Sequence, residues 1–125
     1  MHIEAFREFC LSLPNVEETT PFGDEYLVYK IGGKMFTITS IELFDHFAVK
    51  CDPSLAIELR ERYAAITSAW HFNKKHWNDV YVNQDLDDSL LKQQIVQSYL
   101  LVLRKNVTPK ALRDKLLQAY LQTNK

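Results

Sequence analysis

With 125 residues, 46% of them hydrophobic and 12% aromatic, the chain can build one domain around its own core without a metal or disulfide staple. Three Gly and four Pro exclude a low-complexity chain, and no apolar run approaches the ~18 residues that span a bilayer. The formal charge of −1 excludes a uniformly basic protein but hides a local asymmetry.

In segment 2–13, Ile3, Phe6, Cys10 and Leu13 form one stripe of an amphipathic helix, with Phe9 beside it, and Pro14 stops it. This start lacks the long apolar stretch of a signal peptide, so a cytoplasmic location is the default expectation. Asn15 to Asp24, punctuated by Pro21 and Gly23 among acids, reads as an ordered loop. Tyr26–Ile31 and Lys34–Ile41 then flank Gly32-Gly33, a pair that tolerates the positive φ of a type I′ hairpin turn. If Ile31 pairs with Lys34, then Leu27, Tyr29, Ile31, Phe36 and Ile38 share a core face, and Lys30, Thr37 and Thr39 a solvated one.

Phe44 to Cys51 reads as a third strand. Asp52 and Pro53 supply an N-cap and a first helical residue for a helix to Tyr63 that buries Leu55, Ala56 and Leu59. Ala64–Trp70 is a weaker strand, and Asp79–Asn83 alternates as a fifth. Asp87-Asp88-Ser89 caps a long helix from Leu90 to Lys105, and Thr108-Pro109 opens a last one with Leu112, Leu116, Ala119 and Tyr120 inward. No repeat or internal boundary interrupts 1–125. Adjacent strands bracketed by helices predict an α+β domain: an antiparallel sheet of about five strands with helices packed on one face.

Several stretches, in order, carry a family resemblance: Leu13-Pro14 through Glu17-Glu18, Pro21-Phe22-Gly23, Tyr26 to Lys30, Gly32 to Phe36, and Lys50 to Pro53. Glu58-Leu59-Arg60, His71, Asn73 to Asn78, Ser98-Tyr99 and Leu101-Val102 continue it. Over residues 2–106 the chain resembles the MmcQ/YjbR proteins, small bacterial domains with a frataxin-like (CyaY-like) fold. The segment 108–122 then reads as a C-terminal extension helix, and Ala69-Trp70 stands where the family has Gly-Tyr. The resemblance implies DNA binding through a double-wing arrangement, in which β-hairpins project toward the duplex.

Charge placement points the same way. Residues 1–29 carry six acids against Arg7 alone, whereas residues 91–125 carry seven Lys and Arg against Asp114 alone. Between them, Trp70-His71-Phe72-Asn73-Lys74-Lys75-His76-Trp77 interleaves cations with rings, as a surface gripping phosphates requires. The expected contacts to double-stranded DNA are Lys34 at the hairpin tip, Asn73, Lys74, Lys75 and His76, with Arg60 and Arg62 at the periphery. Side chains suited to bidentate base contacts are sparse, so weak sequence discrimination and strong salt dependence are expected.

The rival expectation is a protein-interaction or small-ligand-binding domain built on the aromatic patch of Trp70, Phe72 and Trp77. No phosphate loop, nucleophile elbow or triad appears, so no enzyme, no cofactor and no catalytic residue is expected. His71 and His76, five apart and without a third ligand, predict no metal site. Frataxin's iron-binding acids lie on its first helix, whereas here the acids fall mainly after it. Cys10 and Cys51 read as buried free thiols of a reducing compartment, and the chain as a monomer.

Overall fold

The computed structural model describes residues 1–69 and 71–123; Trp70, Asn124 and Lys125 lie outside the described residues. Its elements are α1 (Ile3–Ser12), β1 (Val16–Thr19), β2 (Tyr26–Ile31), β3 (Lys34–Ser40), β4 (His46–Lys50) and α2 (Pro53–Arg62). They continue with β5 (Ile66–Ser68), β6 (Trp77–Tyr81), α3 (Asp88–Lys105) and α4 (Lys110–Thr123). The six strands form one antiparallel sheet in the order β1-β2-β3-β4-β6-β5. The fold is therefore α+β as expected, with one strand more than the sequence reading.

The extra strand is β1, which replaces the expected loop after Pro14. Its four residues, Val16 to Thr19, pair with β2 at the sheet edge. A fork of charge-assisted bonds ties it to α1: Arg7 donates from Nε (2.7 Å) and from Nη2 (3.0 Å) to the two oxygens of Glu18. The buried Tyr29 hydroxyl donates to the same carboxylate at 2.7 Å. These bonds, rather than β propensity, make a strand of Val-Glu-Glu-Thr.

The hairpin forms where Gly32-Gly33 predicts it, with φ of +57° and +79° and with Ile31 paired to Lys34. Its register then departs from the expectation. Tyr29 pairs with Thr37 but Lys30 with Met35, so Phe36 is an extra residue on β3. A bulge of one residue flips everything beyond it. Ile38 consequently joins Val28 and Ala48 on the face opposite the helices, instead of lying with Tyr29 and Phe36. Thr37 and Thr39, expected in solvent, are buried at 0% and 3% exposure. Both hydroxyls are satisfied, donating to the carbonyls of Ala48 (2.8 Å) and His46 (2.7 Å).

The main core fills one face of the sheet. Phe6 of α1 packs at 5.0 Å from Phe47 and edge-on to Tyr29, and Phe36 meets Tyr99 of α3 edge-on at 5.4 Å. Asp52 and Asp87 cap α2 and α3 as predicted, accepting from the Leu55 and Leu90 amides. In α4 only Leu116 is buried, and Leu112 remains 36% exposed. Leu116 and Val107 close over the hairpin turn, where a Cβ on Gly32 would lie 2.7 Å from a Val107 methyl. Cys10 and Cys51 are buried free thiols, and burial pushes that of Cys51 up to about 11.

At the bulge the β3–β4 ladder ends with Thr37 opposite Val49. Beyond it the two strands are joined through α3: the fully buried Ser98 hydroxyl donates to the Phe36 carbonyl (2.6 Å) and accepts from the Lys50 amide (2.8 Å). Truncation leaves both backbone groups unsatisfied, so Ser98→Ala should cost about 2 kcal/mol, read as a lower urea midpoint at unchanged slope.

Glu18 carries an acid-sensitive part of the stability. The Arg7 fork, aided by the Tyr29 hydroxyl, holds its carboxyl below the ordinary carboxylate value. That contribution is complete above the unfolded value of ~4.3 and is lost as pH falls through the folded one. In Glu18→Gln, unfolding midpoints measured from about pH 6 down to about pH 3 should decline less steeply than in the parent.

Candidate nucleic-acid interface

Antiparallel pairing brings together segments that lie far apart in sequence. The end of β2, the start of β3, the end of β4 and the start of β6 share one end of the sheet, because Ile31 pairs with Lys34 and Lys50 with Trp77. α3 finishes there too: Lys50 Nζ donates to Asn106 Oδ1 at 2.8 Å, one residue beyond the exposed Lys105. Lys34, Lys50, Lys74, Lys75 and Lys105 therefore gather at one end, across a sheet width from β3 to β6 of roughly 10 Å. Among the described residues, no carboxylate forms an ion pair with Lys34, Lys50, Lys75 or Lys105. Lys34 and Gly33 are exposed at the open side of the hairpin turn.

The loop bearing Lys74 and Lys75 is built from behind. The Asn73 carbonyl accepts from the amides of His76 (3.1 Å) and Trp77 (2.9 Å), while Asn73 Oδ1 accepts from the Lys75 amide (2.9 Å). The His76 carbonyl in turn accepts from the Cys51 amide at 2.7 Å, sewing the loop to the end of β4. Arg60 completes it. Its Nε donates to Asn78 Oδ1 at 2.6 Å and its Nη2 to the carbonyls of Lys74 and Trp77.

Several expected contacts change role in consequence. Arg60 spends Nε on Asn78 and Nη2 on the loop's own carbonyls, so it positions Lys74 and Lys75 from behind. Asn73 commits its oxygen to the turn and keeps only its amide NH2, which can donate to outside acceptors. His76 is half-buried beside Asp52, whose carboxyl it helps hold low after the Ser54 hydroxyl and the Leu55 amide. Arg62 leaves the group: it ends α2, roughly 15 Å along the helix from the end where α2 starts, and lies over the Tyr63 ring. Lys50 and Lys105, unassigned by sequence reasoning, join it. Strand pairing alone reveals Lys50, and the α3 C-terminus brings Lys105.

The rival aromatic patch is only partly exposed. Phe72 and Trp77 are half-buried and packed together with centroids 5.1 Å apart, against Val28, Ile38 and Ala48. Trp70, named with them in the sequence reading, lies outside the described residues. Beside this pair the helix-free face of the sheet holds a recess of about 590 Å³, lined by rings, by Ile38 and Ala48, and by Asp79. Among the described residues no group of three or more His, Cys, Asp or Glu could hold a metal ion, and no helix is long and apolar enough to cross a membrane.

Comparison with known proteins gives consistent matches. The family model of YjbR matches residues 11–101, ending before α4. The chain is 37% identical to the uncharacterized protein YbdF of Escherichia coli O157:H7 over 100 residues, covering 79% of this chain and 82% of that one. It is 26% identical to the uncharacterized protein YjbR of E. coli K12 over 94% of this chain and 99% of that one. Among solved structures it is similar to Deinococcus radiodurans protein DR2400, of domain DUF419, with TM-score 0.82 and 36% identity over 91% of this chain and 86% of that one. A Pseudomonas syringae protein shares the fold, with TM-score 0.70 at 22% identity over 81% of this chain and 98% of that one.

The role assigned to Arg60 is testable by amide hydrogen exchange. Arg60→Ala frees the Lys74 and Trp77 carbonyls, so the amides of His76, Trp77 and Ala69 should exchange at least about tenfold faster, with α3 little affected. Arg60→Lys should not restore protection, because an ammonium does not fork across three fixed acceptors.

Proposed function

The chain belongs to the YjbR family, and from that premise we propose that it is a binding protein, not an enzyme, that grips duplex DNA through its phosphates. The observation that carries the reading is the convergence of Lys34, Lys50, Lys74, Lys75 and Lys105 on one end of the sheet, four of them without a carboxylate partner among the described residues. Ammonium groups that no carboxylate neutralises are what displaces counterions from a duplex. The preformed loop behind Lys74 and Lys75 lowers the ordering cost of contact. The hairpin turn acts from its open side, through Lys34 and the exposed Gly33, since Val107 and Leu116 cover Gly32.

Backbone contact without base readout gives affinity that falls steeply with salt and depends little on sequence. The protein acts as a monomer. Its two unpaired buried thiols suit a reducing compartment, and the reading locates it in the cytoplasm.

Fluorescence anisotropy with a labelled duplex, titrated from about 50 to about 200 mM salt, tests this. Four phosphate contacts should give a log–log slope near −3.6. Lys34→Ala/Lys74→Ala/Lys75→Ala should flatten the slope by about 2 to 3 and weaken binding at least about tenfold, with Arg62→Ala close to the parent. An unchanged affinity in the triple variant sinks the assignment, as does an absence of binding by the parent at the lowest salt.

A further inference from the structure

The recess on the helix-free face lies toward the opposite end of the sheet from the lysines. Ile38 and Ala48 lie in its floor, the rings of Phe22, Tyr26, Phe72 and Tyr81 line it, and the Asp79 side chain, 8% exposed, opens into it. Its volume of about 590 Å³ falls within the range of small-molecule sites. Phe22 and Leu43 at this recess are 64% and 73% exposed, a display of apolar surface that a monomer rarely keeps without a use.

Its electrostatics select the sign of an occupant. Among the described residues, no Lys or Arg lines the recess. Segments 20–25, 41–45 and 82–88, at this end of the sheet, carry Asp24, Glu25, Glu42, Asp45, Asp85, Asp87 and Asp88 and not one Lys or Arg; the cations beside them are the Met1 amino group, 3.2 Å from Asp88, and Arg62 at the end of α2. Two imidazoles, of His46 and His71, share the lining with Asp79, and His46 does not reverse the sign. Its Nδ1 lies 2.6 Å from Asp45 and its Nε2 4.0 Å from Asp79, so even a protonated imidazole stands between two carboxylates. It stacks on Tyr81 with centroids 4.8 Å apart, fixing that ring in the wall.

We propose that the recess binds a small organic cation, an alkyl- or aryl-ammonium whose apolar body rests on Ile38 and Ala48 and whose charge sits among the aromatic rings near Asp79. Ring faces attract a desolvated cation through their quadrupoles, and a bulky ammonium loses less hydration than a metal ion on entering an apolar bowl. An anion would meet the carboxylates, and a neutral apolar molecule would leave the acidic surround unused. The proposal stands whether or not the chain binds DNA.

The probe is choline, with 3,3-dimethylbutan-1-ol as its uncharged isostere, titrated into the full-length protein while backbone amide shifts are followed by NMR. Choline should shift amides of residues around the recess saturably, with affinity at least about fivefold above that of the isostere. Asp79→Asn should erase that preference. Phe22→Ala, at a largely exposed position where folding is not at stake, should weaken choline about threefold or more. Equal affinities for the two probes, shifts scattered away from the recess, an unaltered affinity in Phe22→Ala, or no saturable binding up to about 50 mM choline would each overturn the proposal.

Discussion

One extra residue in β3 decides what each side of this sheet can do. Had the hairpin run without a bulge, Ile38 would point into the main core, and Thr37 and Thr39 would lie on the open face. Because Phe36 is added between Met35 and Thr37, two threonines enter the core and an isoleucine leaves it. The exchange is tolerable because each threonine hydroxyl finds a β4 carbonyl, and a buried hydroxyl with a partner costs far less than one without. What the fold gains is an apolar floor of Val28, Ile38 and Ala48 on the face that no helix covers. Ser98 makes the arrangement permanent, bridging Phe36 and Lys50 where the direct ladder stops.

The second constraint is the antiparallel register, which sorts charge along the strand direction. Turns at alternate ends of a meander fall at opposite poles, so acids and bases separated in sequence by only a strand end up a strand length apart. Residues 41–45 and 82–88 collect at one pole, while Lys34, Lys50, Lys74 and Lys75 collect at the other. A net charge of −1 therefore coexists with a strongly dipolar surface, and it is the local field, not the sum, that a charged partner meets. The α3 C-terminus adds Arg104 and Lys105 to the basic pole, where they also complement the helix dipole.

Much of this architecture was legible in the residues. Gly-Gly between β-rich runs, Asp52-Pro53 and Asp87 each announce a turn or cap by a local mechanism, and each forms where it was read. What escaped depends on partners remote in sequence. β1 exists because Arg7 and Tyr29 converge on Glu18, and nothing within Val16–Thr19 advertises that. The bulge is invisible because Met35-Phe36-Thr37-Ile38 alternates plausibly in either register until β4 and α3 choose. At the basic end the lysines were read from composition and spacing. Those cues cannot tell a presenting cation such as Lys75 from a structural one such as Arg60, since that depends on which carbonyls stand nearby. Arg62, two residues from Arg60, faces a different part of the molecule altogether.

Segment 71–77 is the element common to both surfaces. Phe72 packs on the apolar floor and lines the recess, whereas Lys74 and Lys75, two and three residues later, stand at the basic end. A chain that serves two surfaces over so short a span has little freedom to adapt to either, and its hydrogen bonding reflects that. Asn73, the Cys51 amide and the Arg60 fork engage the amides of Lys75, His76 and Trp77 and the carbonyls of Asn73, Lys74, His76 and Trp77, which an irregular segment would otherwise leave to water. An arginine suits the post better than a lysine because its planar fork reaches a side-chain oxygen and two carbonyls at once while staying charged. The guanidinium thus works inward, and the loop that carries the Lys74 and Lys75 ammonium groups owes its shape to it.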